Sequence, residues 1–318
     1  MTPPSLDVIV VNWNGGSHLR ACIESVHAAD REEIDLRRIV VVDNASTDGS
    51  LESLPPEGSR ITLIRNATNR GFATACNQGA HATAADYLLF LNPDTQLRGN
   101  SLVEPIRFCE QPANRAVGIV GIQLLDQEGK VVPTCARFPS AGRFLAAMFG
   151  LDRLFPSLYP AHFMTEWDHA DTRAVDQVMG AVFLVRRKVF ENLNGFDERF
   201  FVYFEEVDFS LRARQNGWLT YFVSSAQAFH RGGGSTEGAR STRLFYSLRS
   251  RLIYAGKHFG GLQAIVVTLA TLFVEPFTRL AIAAARRSAV QAADTIIGYA
   301  RLWFALLTGR MRSPRTRA

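Results

Sequence analysis

The 318-residue chain is 47% hydrophobic, 20% charged and 10% aromatic, a balance that excludes a disordered, collagen-like or disulfide-scaffold protein. Its length suits one large domain with an appendage, or two domains, and no period of roughly 20 to 50 residues marks a repeat fold. The net charge of +5 hides a split. From Arg240 onward 13 Lys and Arg oppose only Glu275 and Asp294, whereas residues 1–239 carry 22 basic against 28 acidic side chains. A mildly acidic body is joined to a strongly basic tail.

At the N-terminus Asp7 interrupts the only apolar run that could serve as a leader, so no secretory signal is expected. Cys22, Cys76, Cys109 and Cys135 are far apart, without metal-ribbon spacing; they read as reduced, packed thiols of a cytoplasmic protein. Leu6 to Val11, Arg38 to Val42, Ile61 to Ile64 and Tyr87 to Leu91 are apolar runs that predict buried strands. Helical patterns alternate with them, as in parallel βαβ units of an α/β fold. After the first strand, Ser17 is a candidate N-cap for a helix whose stripe is Leu19, Cys22, Ile23 and Val26.

Chemistry is expected at the carboxyl ends of such strands. Polar loops gather there: Asn12-Trp13-Asn14-Gly15-Gly16 after the first strand, Asp43 to Ser50 after the second, and Asn92-Pro93-Asp94-Thr95 after the fourth. Neither GxGxxG after the first strand nor GxxxxGK[ST] occurs, which disfavours a dehydrogenase or P-loop enzyme. Asp94 has two readings, a ligand for a divalent cation held mainly by a diphosphate or the N-cap of a short helix.

Residues 195–212, GFDERFFVYFEEVDFSLR, place Glu205, Glu206 and Asp208 in the first turn of a helix that Asn216-Gly217 stops. Glu205 and Asp208 share a face, with Glu206 roughly 100° away. Acidic residues there complement the helix dipole, yet three carboxylates among aromatics also invite raised pKa values, as a general base needs. His230 ends an apolar run before Arg231 and a triglycine; it is either structural or near a ligand.

Taken together, VIVVNWNG (8–15), VVVDNASTDGS (40–50), NRGFATACNQG (69–79), LFLNPDT (89–95), VMGAVFLVRR (178–187), the 195–212 stretch and HRGGGST (230–236) resemble the family 2 glycosyltransferases of GT-A fold. The resemblance is strongest to the bacterial rhamnosyltransferase-like group that builds cell-surface polysaccharides. It implies a mixed, mainly parallel Rossmann-like sheet flanked by helices over residues 1–236, followed by a helical region over 237–318. It further implies that Val11, Asn12, Asn14, Asp43 and Gly71 hold a nucleotide-sugar donor, and that Asp94 is the metal-binding last member of a DxD motif. Here the motif is Asn92-Pro93-Asp94, so Asn92 can hydrogen-bond but adds no charge. By the same resemblance His230 joins Asp94 around Mg²⁺ or Mn²⁺, Gly180 and Ala181 allow close approach of sugar and acceptor, and Glu206 or its neighbour Glu205 is the base, with Asp208 beside them. Arg186 and Arg187 either neutralise phosphate or solvate a strand end.

The implied reaction is inverting transfer from a dTDP- or UDP-sugar, with rhamnose preferred by resemblance, to a hydroxyl of a cell-surface glycan or polyprenyl-diphosphate-linked acceptor. The rivals are a sugar nucleotidyltransferase and a noncatalytic sugar-nucleotide or lipid-binding scaffold. In the tail, Leu262 to Val274 is an uncharged run too short to span a bilayer, interrupted by Glu275-Pro276. Ile296 to Leu307 is a second apolar segment, and Arg286, Arg287, Arg310, Arg312, Arg315 and Arg317 flank the two. This pattern favours an interfacial region on the anionic inner face of the cytoplasmic membrane over a packed helical subdomain or a dimer interface. Nucleic-acid binding is disfavoured, because the tail's aromatics lie in its apolar segments.

Overall fold

A computed structural model describes residues 2–54, 60–232, 240–309 and 311. The expected boundary at 236/237, residues 233–236 of the HRGGGST segment and the terminal arginines 310, 312, 315 and 317 lie outside the described residues. The first half alternates as expected: β1 (Ser5–Asn12), α1 (Ser17–Ala28), β2 (Asp35–Asp43), β3 (Ile61–Arg65), α2 (Phe72–His81), β4 (Tyr87–Leu91). Next come β5 (Thr95–Leu97), α3 (Val103–Glu110), β6 (Val117–Leu125), β7 (Val131–Val132), β8 (Cys135–Ala136), α4 (Ala141–Met148) and α5 (Leu151–Leu154). The sheet-bearing part closes with β9 (Arg173–Val175), β10 (Gln177–Val178), β11 (Val182–Arg186), α6 (Arg187–Asn192), α7 (Glu205–Gln215) and β12 (Leu219–His230). Four helices follow, α8 (Arg240–His258), α9 (Gly261–Phe273), α10 (Glu275–Ala285) and α11 (Ala289–Leu307).

The main sheet has the order β3-β2-β1-β4-β11-β6-β12-β5, with β7 beside β6 and β9 beside β12. β1, β2, β3 and β4 are mutually parallel, and β11 runs antiparallel between β4 and β6. Side chains of β1 alternate between faces. Leu6, Val8 and Val10 meet Leu19, Cys22, Ile23 and Val26 of α1, while Ile9 and Val11 meet Ala73 and Cys76 of α2 and Phe190, Phe196 and Phe209. Each buried Leu, Ile or Val contributes on the order of 1.5–3 kcal/mol, so the sheet's carboxyl ends are held on a rigid base. α2 lies so close that a Cβ at Gly79 would sit 2.5 Å from Ile9 Cγ2.

Ser17 does not cap α1. It is the first helical residue; Gly16 precedes it at φ 53°, and the Gly16 N–H donates to Asp48 Oδ2 at 2.7 Å. The carboxylate of a neighbouring loop thus serves the helix start in place of the local hydroxyl.

The C-terminal helices share a core of Leu248, Leu252, Leu272, Tyr299 and Leu302. α8 docks on the body through Tyr254, which packs with Phe200 and Val207, and through hydrogen bonds from Ser250 Oγ to Val202 O (2.9 Å) and Arg249 Nη1 to Arg199 O (3.1 Å). The interruption expected at Glu275-Pro276 is milder than a break, because only Val274 separates α9 from α10, and Gly261–Ala285 together are long and apolar enough to cross a membrane by length and composition. Glu275 itself is buried and paired with Arg251 and Arg279.

Candidate active site

The ends of β1 and β2 are register partners, Asn12 against Asp43. Asn12 Nδ2 donates to Asp43 Oδ1 (2.9 Å), Ser46 Oγ (3.0 Å) and Ser50 Oγ (2.9 Å), while Ser46 Oγ donates to Asp43 Oδ1 at 2.6 Å. Asn14 joins the same loop: its N–H donates to Ser46 Oγ, and its Oδ1 accepts from Thr47 N–H, both at 2.9 Å. Val11 is buried beneath. Asn12 Oδ1 is buried and has no partner among the described residues, leaving an acceptor inside a polar rim of fixed geometry.

Gly71 lies where α2 begins. It has φ 88°, and a Cβ there would stand 2.6 Å from Phe201 O, so only glycine fits without a backbone shift. Asn44 Nδ2 donates to Gly71 O (3.1 Å) and Asn44 Oδ1 accepts from Asn66 Nδ2 (2.9 Å). Asn77 of α2 exchanges two 2.9 Å hydrogen bonds with the backbone of Phe196. Asn44, Ser46, Ser50 and Asn77 lie in the quoted motifs but carry no expected role; short polar residues after a strand signal the first three, and nothing local signals Asn77, which sits inside α2.

At the mouth of β4, Asn92 N–H donates to Ala181 O at 3.0 Å. Asp94 leads into the strand β5, which removes the reading of a helix N-cap. β5 pairs antiparallel with the end of β12, setting Thr95 opposite His230. This register brings His230 Nε2 to 3.4 Å from Asp94 Oδ1, with side chains only 14% and 12% exposed. Below them burial, reinforced by the charge of Asp94, pushes the Cys22 thiol far up, so it stays neutral. Asp94 and His230 are two hard or borderline donors side by side, a fit for one edge of a Mg²⁺ or Mn²⁺ ion that a diphosphate and water would complete. No group of three or more such donors occurs among the described residues.

The acidic helix is aimed by two non-glycine residues in left-handed conformation, Tyr203 (φ 67°) and Phe204 (φ 72°), which turn the chain sharply into α7. Such outliers persist only where surrounding packing enforces them; here Phe204 packs against Tyr254 and Phe144. Glu205 is buried and Glu206 half-buried, and neither Oε2 has a partner among the described residues. Burial pushes both carboxyls above the usual range, Glu205 further because of the adjacent Glu206 charge. Gly180 faces Glu206, whose side-chain atoms lie 3.8–3.9 Å from the position of a glycine Cβ. Since the next residue, Ala181, holds Asn92, the acid helix and the Asn92-Pro93-Asp94 mouth meet through one dipeptide.

Asp208 departs from expectation. Burial would raise its carboxyl, but His258, Arg212 and Lys257 outweigh this and hold it below the usual range. Its oxygens lie 2.7 Å from His258 Nε2, 2.8 Å from Arg212 Nε and 2.6 Å from Lys257 Nζ, contacts that anchor α7 to α8. Arg186 and Arg187 lie at the end of the sheet opposite the polar rim. Arg186 pairs with Tyr87 at the opposite end of β4 and binds Val117 O and Glu110; Arg187 binds Thr83 Oγ1 at 2.7 Å.

The sequence model for "Glycosyl transferase family 2" matches residues 7–194. An N-acetylglucosaminyl-diphospho-decaprenol L-rhamnosyltransferase of Mycobacterium tuberculosis is 28% identical over 276 residues, covering 81% of this chain and 87% of its own. The rhamnosyltransferase WbbL of Escherichia coli K12 is 24% identical, covering 79% and 92%. Among solved structures, the mannosyltransferase PcManGT of Pyrobaculum calidifontis, in complex with GDP-Man and Mn²⁺, aligns with a TM-score of 0.56 at 15% identity over 96% of this chain and 88% of that one. Staphylococcus aureus TarS 1–349 with UDP-GlcNAc aligns at 0.52 and 14%, over 96% and 92%. The fold is GT-A.

Proposed function

Because the chain belongs to glycosyl transferase family 2, we propose that it moves a sugar from a dTDP- or UDP-sugar to a hydroxyl of a glycan on a polyprenyl-diphosphate carrier, with inversion. Rhamnose is the preferred sugar. Two relatives similar along most of their length are rhamnosyltransferases, and one bears a diphospho-decaprenol acceptor in its name. The observation that carries the reading is the meeting of Glu206, through Gly180 and Ala181, with the Asn92-Pro93-Asp94 mouth.

In this reading Asn12, Asn14, Asp43 and Gly71 bound the nucleotide. Glu206, its carboxyl raised by burial, takes the proton of the acceptor hydroxyl as that oxygen forms a bond to the anomeric carbon. The bond from that carbon to the donor's diphosphate breaks on the opposite face, and its electron pair leaves with the diphosphate. A divalent cation held by Asp94 and His230 would supply electrostatic stabilisation of the leaving group. The acid helix is kept rigid by Asp208, so Glu206 needs little reorganisation.

With an acceptor of this class, the reading puts transfer at the inner face of the cytoplasmic membrane. Supporting this, Leu262, Ile265, Leu269, Phe273, Phe277 and Leu307 are exposed on α9–α11, alongside exposed Arg286, Arg287 and Arg301. The test is transfer from dTDP-rhamnose, and from a panel of dTDP- and UDP-sugars, to a synthetic N-acetylglucosaminyl-diphospho-prenol, with anomeric configuration read by NMR. Inverted product is expected; a retained configuration, or no transfer from any donor, overturns the reading.

A further inference from the structure

A cavity of about 280 Å³ lies between α4 and residues 158–162, away from the rim just described, and Arg143, Phe144, Ala147, Leu158, Tyr159 and His162 are among its walls. The wall is mainly apolar. Around it Phe149, Leu154, Phe155 and Leu158 are each more than half exposed, a concentration of apolar surface that a freely soluble surface seldom tolerates. α4 also packs along α9, whose Leu262, Ile265, Leu269 and Phe273 are exposed. Apolar surface therefore extends from the cavity onto the C-terminal helices.

Two features tie the cavity to the chemistry. Phe144 is a cavity wall and also packs on Phe204, the residue before Glu205, at a ring separation of 6.2 Å, and on Phe259 at 5.9 Å. Arg143 brings positive charge: its Nη1 donates to Phe138 O (2.8 Å), but its Nε is buried and finds no partner among the described residues. A buried donor without a partner is costly unless a ligand or water satisfies it. His162 is neutral, pushed down to about 4 by burial and by the nearby Arg143 charge. Asp152 lines the same cavity, and its Oδ1 is also buried without a partner among the described residues, so a bare anion gains little here.

We propose that this cavity is the isoprenoid subsite of the acceptor, taking the first units of a polyprenyl diphosphate with Arg143 toward the diphosphate end, while the rest of the chain runs out over the apolar rim to α9. The inference rests on the acceptor class given above. At the low end of small-molecule pocket sizes, the cavity suits a short stretch of chain; the remainder belongs to the lipid surface. Affinity thus comes mainly from carbon contact, and the one cation beside it adds a preference for the phosphorylated chain.

The test uses the full chain with farnesyl phosphate, farnesol and inorganic phosphate as calorimetric probes. Farnesyl phosphate is expected to bind the wild-type protein, and inorganic phosphate not to bind. Ala147→Trp and Leu158→Asp alter exposed positions in the wall, so both should fold, as checked by thermal melting, and weaken farnesyl phosphate by tenfold or more. Arg143→Gln should weaken farnesyl phosphate more than farnesol. Absence of binding to the wild type, or equal binding by all four proteins, overturns the subsite. Transfer to a prenol-linked and to a water-soluble acceptor then separates the two claims. If transfer occurs and Ala147→Trp leaves the ratio of KM values for the two acceptors unchanged, the subsite fails and the enzyme reading stands; if no acceptor is glycosylated while the binding differences hold, the acceptor reading fails and the subsite stands.

Discussion

His258 Nε2 lies 2.7 Å from Asp208 Oδ1, so the last turn of α8 is bonded to the first turn of the acid-bearing helix α7. Lys257 reinforces the junction, bridging Asp208 and Asp197 at 2.6 Å each. The C-terminal helices therefore help hold the carboxylates of α7 in place, besides whatever surface they present.

Lys257→Met is expected to destabilise the protein by about 3 kcal/mol or somewhat more, since removing one partner leaves buried carboxylates undercompensated. Denaturant unfolding measures it. Asp208 has a folded value held below its unfolded value of about 3.9, so its contribution is complete above that pH and lost as pH falls through the lowered folded value. Asp208→Asn should accordingly flatten the acid limb of stability against pH; an unchanged limb would refute the anchoring role.

Glu206→Gln should fold and bind donor nearly normally yet lose roughly 100-fold or more in turnover, the scale of general-base catalysis. With a carboxyl raised by burial, the wild-type rate should climb with pH through that raised value, and single-turnover kinetics across pH read it. If Glu205→Gln is the inactive variant, the base moves by one position; wild-type turnover in both refutes a base in this pair.

Glu205→Gln carries a second prediction, independent of activity. A carboxyl raised on folding binds more protons in the folded state, so stability falls as pH rises from about 4.3, the unfolded value, to the raised folded value. The substitution should raise the melting temperature at pH 7, and the gain should vanish below about pH 4. A loss of stability at pH 7 would show that the buried carboxylate is compensated after all.

Asp94→Ala should remove the metal-dependent part of nucleotide binding, and His230→Ala should weaken it less, because the carboxylate carries the charge. Titration of dTDP and UDP with and without Mn²⁺ decides the matter. Metal-dependent affinity that survives Asp94→Ala would remove Asp94 from the site.

Gly71→Ala is expected to cost about 1–3 kcal/mol, from the left-handed backbone and from contact with Phe201 O. Circular-dichroism melts measure it. Because the Gly71 N-terminus of α2 abuts the 195–204 loop, turnover should fall as well; a melt within half a degree of wild type would mean the loop yields at no cost.

The sequence by itself determined the sheet's parallel half and its rim. β4 runs over Tyr87–Leu91 as expected, and β1 and β2 exceed their expected bounds by one to three residues at their ends, because continuous apolar runs and turn residues are local signals of burial. It also placed Asn12, Asp43 and Asn92 at strand mouths, since a strand's end is marked by the change from apolar to polar residues. Tertiary structure alone decided which carboxylates carry raised pKa values. Glu205, Glu206 and Asp208 sit within one helical turn, yet the groups that depress Asp208 include Lys257 and His258, about 50 residues away in the chain. The same holds for Arg186 and Arg187, sent to the far end of the sheet by the antiparallel course of β11, and for the cavity beside α4. Periodicity reports whether a side chain is buried; a group's charge, reach and partners depend on long-range packing, which brings together residues that no local spacing relates.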